Sequence, residues 1–320
     1  MFKKIIKMML VLFLVLTLTS CNKNNTDKPL IVTTLFPQYD MAKNIVGDKF
    51  DVVLLPNPGS EIHDFEPTSR QISSIKKSDL FIFSSYDIDS WLNNNAYRVS
   101  GDKTVVLNLS THLDLEHEEE FDHGEHEHDE HEHEHDHNHD HGDLHYWTDT
   151  TVYLDLLEVV SNLIAEIDYN NKEYYLLNAK NYSEKILTLH NSFLDFLNKT
   201  ENKKIYFSGH NALDSFSKLY NIEITALVDS IKPDADITSV QMIKLIKEIK
   251  ENNINYLFTE ELSDPKVSQT IKNELKKKNQ DVTLLELHGY HNISKEDNKN
   301  NITFYDLLSR NVNNLKEALK

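Results

Sequence analysis

From Thr150 to Leu197 the chain contains neither proline nor glycine. Apolar residues recur through it at Leu154, Leu157, Val160, Ile164 and Ile167, the spacing of one helical face. This stretch reads as a long connector helix over residues 148–198, with one break possible near Asp168–Asn171. It constrains the fold because short apolar runs alternate with helical patterns on both sides of it, which is the signature of parallel α/β architecture. Before it, strands are expected at Leu30–Leu35, Asp51–Leu55, Leu80–Ser84 and Thr104–Leu107, with helices at Tyr39–Val46 and Ser69–Lys77 and a short one near Trp91. After it, strands are expected at Lys204–Ser208, Glu223–Leu227, Asn255–Thr259 and Asp281–Leu285. Helices Leu213–Tyr220, Val240–Asn252, Val267–Lys278 and Phe304–Leu319 accompany them. The reading is therefore an α/β chain of two lobes with mainly parallel sheets, residues 29–147 and 199–320, joined by a rigid helical connector.

The formal charge of −19 is concentrated in one place. Residues 114–143 hold fifteen acids, and no Lys or Arg occurs from Thr104 to Asn171. Without those acids the balance is only −4, so nothing favours nucleic acid as a partner. The same stretch alternates acids with His123, His126, His128, His131, His133, His135, His137, His139 and His141. It offers no apolar surface to offset ordering entropy, so residues 116–142 are expected to form a disordered loop that binds metal weakly at several places. Within it, His131–His135 fits the spacing of a zinc-protease helix by repetition alone, since no apolar helical face accompanies it. No Gly-rich phosphate loop and no second cysteine support another enzymatic reading.

The first twenty residues read as a signal peptide. Lys3, Lys4 and Lys7 precede an apolar run from Met8 to Leu18 that is too short to span a bilayer comfortably. Leu18-Thr19-Ser20-Cys21 resembles a bacterial lipobox, and Cys21 is the only cysteine. An exported chain with one cysteine has no internal disulfide to form. Cys21 is thus expected to carry lipid, with residues 21–28 as a tether on the outer face of the cytoplasmic membrane.

Outside the acidic tract, His63, His145, His210 and His291 stand apart from the rest. Three follow expected strands, at the carboxyl edge where open α/β sheets bind ligands. His145 opens the connector. Gly59, Gly142, Gly209 and Gly289 lie shortly before the four. His190, inside the connector, reads as structural, and His288 as facing elsewhere. Glu61, Asp64 and Glu66 beside His63 read as a solvated loop, with hydrogen bonding from Glu61 to an imidazole as the sharper option. Glu260, ending a strand, reads as structural or as such a support.

The stretches "GSEIHDFEPTSRQI", "LHYWTDTT", "FSGHNALDSFSKLYNI", "PDADITSVQMIKLIKEIKENNINYLFTEE" and "FYDLLSRNVNNLKEAL" resemble the metal-specific solute-binding lipoproteins of bacterial ABC importers. The resemblance runs from Leu30 to Leu319. It implies two lobes joined by a long helix, one metal in the cleft, no catalysis, delivery to permease subunits and a monomeric state. His63, His145 and His210 match the first three ligand positions of that family. Manganese members usually carry a carboxylate at the third, so His210 points to zinc. The fourth is commonly Asp or Glu; here His291 stands there, with water or Glu286 as alternatives. Imidazole nitrogens suit tetrahedral zinc, whereas magnesium and calcium take oxygen. The rivals are another divalent metal of the same importer class and a surface metal buffer or adhesin. Changing Cys21 to Ala should leave the protein unprocessed or released in a fractionation experiment. Normal processing and anchoring of that variant would rule out the lipobox.

Overall fold

The structure is a computed structural model that describes residues 28–113, 144–228, 237–262 and 265–320. Cys21 and the acidic histidine tract lie outside the described residues.

The first lobe runs β1 (Leu30–Thr33), α1 (Phe36–Val46), β2 (Asp51–Leu54), α2 (Ser69–Lys77), β3 (Leu80–Phe83) and β4 (Val105–Asn108). Two helices follow, α3 (Thr150–Ile167) and α4 (Lys172–Leu197). The second lobe runs β5 (Lys204–His210), α5 (Asp214–Tyr220), β6 (Glu223–Val228), α6 (Ser239–Glu251) and β7 (Tyr256–Glu260). It closes with α7 (Lys266–Lys277), β8 (Thr283–Leu287), α8 (Lys295–Lys299) and α9 (Phe304–Ala318). All sheet pairings are parallel, in the orders β2-β1-β3-β4 and β6-β5-β7-β8. The two lobes share one topology, and in each the chain reverses its direction of winding beside the first strand. That switch point opens a crevice at the carboxyl ends of the strands.

Local chemistry sets the helix starts. Thr68 with Gln71, Thr238 with Gln241 and Thr303 with Asp306 form reciprocal capping boxes at α2, α6 and α9. Asp149 caps α3 by accepting from the N–H groups of Thr151 and Val152.

The connector differs from a single rod. It breaks at Asp168–Asn171, where Asp168 accepts from Asn171 Nδ2 (2.7 Å) and Tyr175 Oη (2.6 Å) and turns the chain. The short polar turn satisfies itself, so the chain doubles back and α4 packs against α3. With 26 residues, α4 is about 39 Å long, and it touches both α1 and α9. Three other expectations shift. β8 starts two residues later than the apolar pattern suggested, since pairing begins at Thr283 opposite Tyr256. His210 is the last residue of β5 and does not follow it. The short α8 carries no apolar periodicity and was not expected.

One apolar core crosses from lobe to lobe. It joins Ile31, Leu80 and Ile82 of the first sheet through Tyr153, Leu157, Tyr175 and Phe193 to Phe207, Phe258 and Leu308. Smaller cores cover the outer sheet faces, around Phe81 and Phe83 in one lobe and Leu245 and Leu257 in the other. At the junction Tyr153 stacks on Phe304, with ring centroids 3.7 Å apart. Asp40 accepts from Tyr153 Oη (2.8 Å) and Tyr182 Oη (2.6 Å), tying α1 to both connector helices. Tyr182 Oη in turn accepts from the Tyr305 N–H. His190 Nδ1 meets Tyr220 Oη at 2.9 Å, and that hydroxyl also meets Thr150; its role is structural.

Burial pushes the Asp40 carboxyl up to about 6, although its tyrosine hydrogen bonds favour the charged form. A carboxyl raised in the folded state contributes stability that is present below its unfolded value and lost as pH rises through the folded one. Asp40→Asn keeps an acceptor and cannot ionise. Its stability relative to the parent should therefore climb by about 2 kcal/mol between pH 4 and pH 7. A pH-independent difference in denaturant titrations would contradict this account of the junction.

Candidate metal centre

Four segments deliver one imidazole each to the crevice. His63 comes from the loop between β2 and α2, and His145 from the turn before Tyr146–Thr148. His210 ends β5, and His291 lies in the loop between β8 and α8. A β-bulge places His210. Phe207 pairs with Ala226 and His210 with Val228, so β5 carries one more residue than its partner. Gly209 sits in that bulge. A Cβ there would lie 2.6 Å from the Phe207 ring and 2.7 Å from Glu260 Oε2, so only glycine fits.

One ligand atom from each of His63, His145, His210 and His291 lies within 4.8 Å of all the others. The six ring-centroid separations fall between 5.0 and 5.7 Å. Six nearly equal edges describe a tetrahedron. His63 Nε2 and His145 Nε2 are 3.4 Å apart. Tetrahedral zinc with nitrogen at about 2.0–2.1 Å spaces its ligands by roughly 3.3–3.4 Å.

Carboxylates stand behind three of the rings. His63 Nδ1 lies 2.6 Å from Glu61 Oε1, His210 Nδ1 2.5 Å from Glu260 Oε1, and His291 Nδ1 2.9 Å from Glu261 Oε1. An ionised carboxylate only accepts, so each Nδ1 carries the proton and each Nε2 is left with a lone pair facing the centre. Among the described residues, the buried Nε2 atoms of His210 and His291 have no hydrogen-bond partner. Such orphaned acceptors are costly unless an ion takes the lone pair. Burial pushes His291 down to about 3, helped by the charges of His210 and His63. Burial and the other three rings hold His145 far below the ordinary range. Burial pulls His210 down too, but Glu260 more than offsets it and the net direction is up. Burial raises Glu61, yet hydrogen bonds from His63 and the Ile62 N–H outweigh it and leave the carboxyl at about 2. At neutral pH His145 and His291 therefore stay uncharged nitrogen donors, with carboxylates standing around the cluster.

Trp147 forms a wall. It sets its edge against His145 and His291, and its Nε1–H donates to the Gly289 carbonyl at 2.9 Å. A pocket of about 300 Å³ beside His210 is lined by Glu61, Glu260 and Glu261.

Not every candidate joins the cluster. Glu286 lies on the exposed side of β8 and is absent from the four-residue group. His288 is buried, but its Nδ1 accepts from the Tyr290 N–H, so it serves the backbone. Asp64 and Glu66 are exposed and line a pocket together with His63, but neither belongs to the four-residue group. Glu261 and Trp147 carried no role in the sequence reading. Glu261 faces a histidine thirty residues away, which leaves no local pattern. Trp147 lay within a recognised stretch without a distinguishing signal.

The sequence matches the family described as zinc-uptake complex component A, periplasmic, over residues 31–318. The chain belongs to this ZnuA family. It is 30% identical over 327 residues to the high-affinity zinc uptake system protein ZnuA of Bacillus subtilis strain 168, covering all of this chain and 99% of that one. The crystal structure of the metal-dependent lipoprotein YcdH from Bacillus subtilis superposes with a TM-score of 0.73 at 26% identity, over 92% of this chain and 100% of the other. The Zn(II)-bound ZnuA-like domain of Streptococcus pneumoniae AdcA gives 0.72 at 22% identity, over 91% and 99%, a likeness of fold. The two-lobe α/β architecture with its long helix is that of the family's solved structures.

Proposed function

We propose that this protein captures one zinc ion between its lobes and delivers it to the permease of an ABC importer. The observation that carries this reading is the tetrahedron of buried imidazoles, His63, His145, His210 and His291, with Nε2 atoms turned inward. Zinc is the cargo, and the protein's part is to preform its coordination shell. Four nitrogens suit zinc and leave magnesium, calcium and manganese without the oxygen donors they prefer. Family membership and the zinc-uptake description of the Bacillus subtilis relative support the same reading. Among the described residues no helix is long and apolar enough to cross a membrane. In this reading the lipid on Cys21, in the lipobox-like Leu18-Thr19-Ser20-Cys21, is the attachment that holds the protein on the outer face of the cytoplasmic membrane beside its permease. The reading calls for binding and release, with no chemical step.

Ligand that binds only the folded state stabilises it by RT ln(1 + [L]/Kd), about 4 kcal/mol at a thousandfold excess over Kd. His63→Ala or His210→Ala should remove most of that gain in thermal unfolding with zinc. Undiminished zinc stabilisation in both variants would take these residues out of the site.

We further infer that the tract Glu116–His141 collects zinc for the cleft. Free imidazole titrates near 6.5, so most of its histidines are uncharged donors at neutral pH. The tract's sites are read as weak ones, and a preformed coordination shell lets the cleft outcompete them. His145 lies four residues beyond the tract, so captured metal is released close to the cleft. Deleting the tract should abolish weak zinc sites in calorimetry, retain the tight one, and slow growth only under chelation. Parental growth under chelation would remove the collecting role.

A further inference from the structure

We propose that Glu261 is the positioning residue for His291, holding the fourth imidazole with Nε2 toward the other three histidines and fixing the loop that closes the second lobe onto the first. This rests on the four-histidine reading of the zinc site. The topology supplies the first argument. β7 lies between β5 and β8, and Glu260 and Glu261 stand together at its carboxyl end. Glu260 turns toward β5 and meets His210, while Glu261 turns toward the segment after β8 and meets His291. One acidic pair on a central strand thus serves a histidine on each side.

Glu261 is committed to this loop through both oxygens. Its side chain is 4% exposed. Oε1 accepts from His291 Nδ1 at 2.9 Å, and Oε2 accepts from the Gly289 N–H at 2.8 Å. His288 Nδ1 lies 3.6 Å from Oε1 but is already an acceptor for the Tyr290 N–H, so it gives Glu261 no proton. Gly289 is the second argument. A Cβ there would lie 2.6 Å from His291 Cε1, 2.9 Å from Nδ1 and 3.3 Å from Glu261 Oε1. The folded-back contact between carboxylate and imidazole fills the space a side chain would need.

The same loop holds the lobes together. The His291 carbonyl accepts from the Phe36 N–H, and the Ile293 carbonyl from the Gly59 N–H at 2.7 Å. Between them Asn292 Nδ2 donates to the carbonyls of Asn57 and Ser60, which lie in the His63 loop. Glu261 therefore fixes the proton position of one ligand and the seat of the loop that braces another.

The test measures zinc affinity by chelator competition, together with the visible spectrum of the cobalt(II) form, in the full protein. Glu261→Gln should weaken zinc binding 10–100-fold, the usual effect of removing a carboxylate behind a ligating histidine, and alter the cobalt spectrum. In a His291→Ala background the same change should cost a much smaller factor, because the ring it orients is gone and only the seat of the loop remains to be lost. Gly289→Ala, which leaves the carboxylate but displaces the ring, should reproduce the weakening. A residue that only braced the fold would lower the melting temperature of the metal-free protein and cost the same factor in both backgrounds; that result overturns the proposal. So does parental affinity with an unchanged cobalt spectrum in Glu261→Gln or in Gly289→Ala, provided His291→Ala is impaired. If His291→Ala itself binds zinc and cobalt like the parent, the four-histidine reading fails and the positioning role falls with it.

Discussion

Four imidazoles from four separate chain segments can share one point only if the two lobes cannot slide past each other. The apolar core running from Ile31 and Leu80 through Tyr153 and Phe193 to Phe207 and Phe258 imposes that constraint. Close-packed interiors have discrete arrangements and resist continuous deformation. Polar contacts then fix the register of the packing. Asp40 reaches Tyr153 and Tyr182, Tyr220 joins Thr150 to His190, and the loop around Asn292 clasps the first lobe. The hydrophobic term supplies most of the stability, while these directional contacts place Nε2 atoms to within a fraction of an ångström.

The cluster's electrostatics follow from its burial. Imidazole rings alone would only weakly attract a cation. The carboxylates of Glu61, Glu260 and Glu261 stand around them, each within 2.9 Å of a ring Nδ1. Lone pairs point inward and formal charge stays outside the coordination shell. This separates attraction, which the carboxylates provide at a distance, from selection, which the nitrogens perform at contact.

Much of this was legible in the sequence because periodicity and punctuation report on local structure. α2 spans Ser69–Lys77 as its pattern indicates, and the strands fall within two residues of their apolar runs. The four histidines stood out as isolated imidazoles, three near strand ends and His145 at the start of the connector, in a chain with few glycines. The departures share a physical cause. At the bulge the His210 N–H donates to the Glu260 carboxylate fifty residues away, and β8 is set by pairing with β7 even though Val282, just before it, is buried and apolar. Glu261 adjoins another acid in "TEELS", which reads locally as a wetted turn. Only tertiary contact distinguishes it.

A scaffold whose halves share one core has no easy hinge. Periodic wide opening would have to separate Tyr153 from Phe304 and expose rings that are now dry. The segment from His288 to Ser294 belongs to this locked arrangement, since its residues from His288 to Ile293 are buried and the stretch is hydrogen-bonded to the first lobe at Phe36, Gly59 and the His63 loop. An ion held as proposed above would meet one rigid shell, and its residence time would be set by how fast that strip of backbone and the core beneath it loosen together.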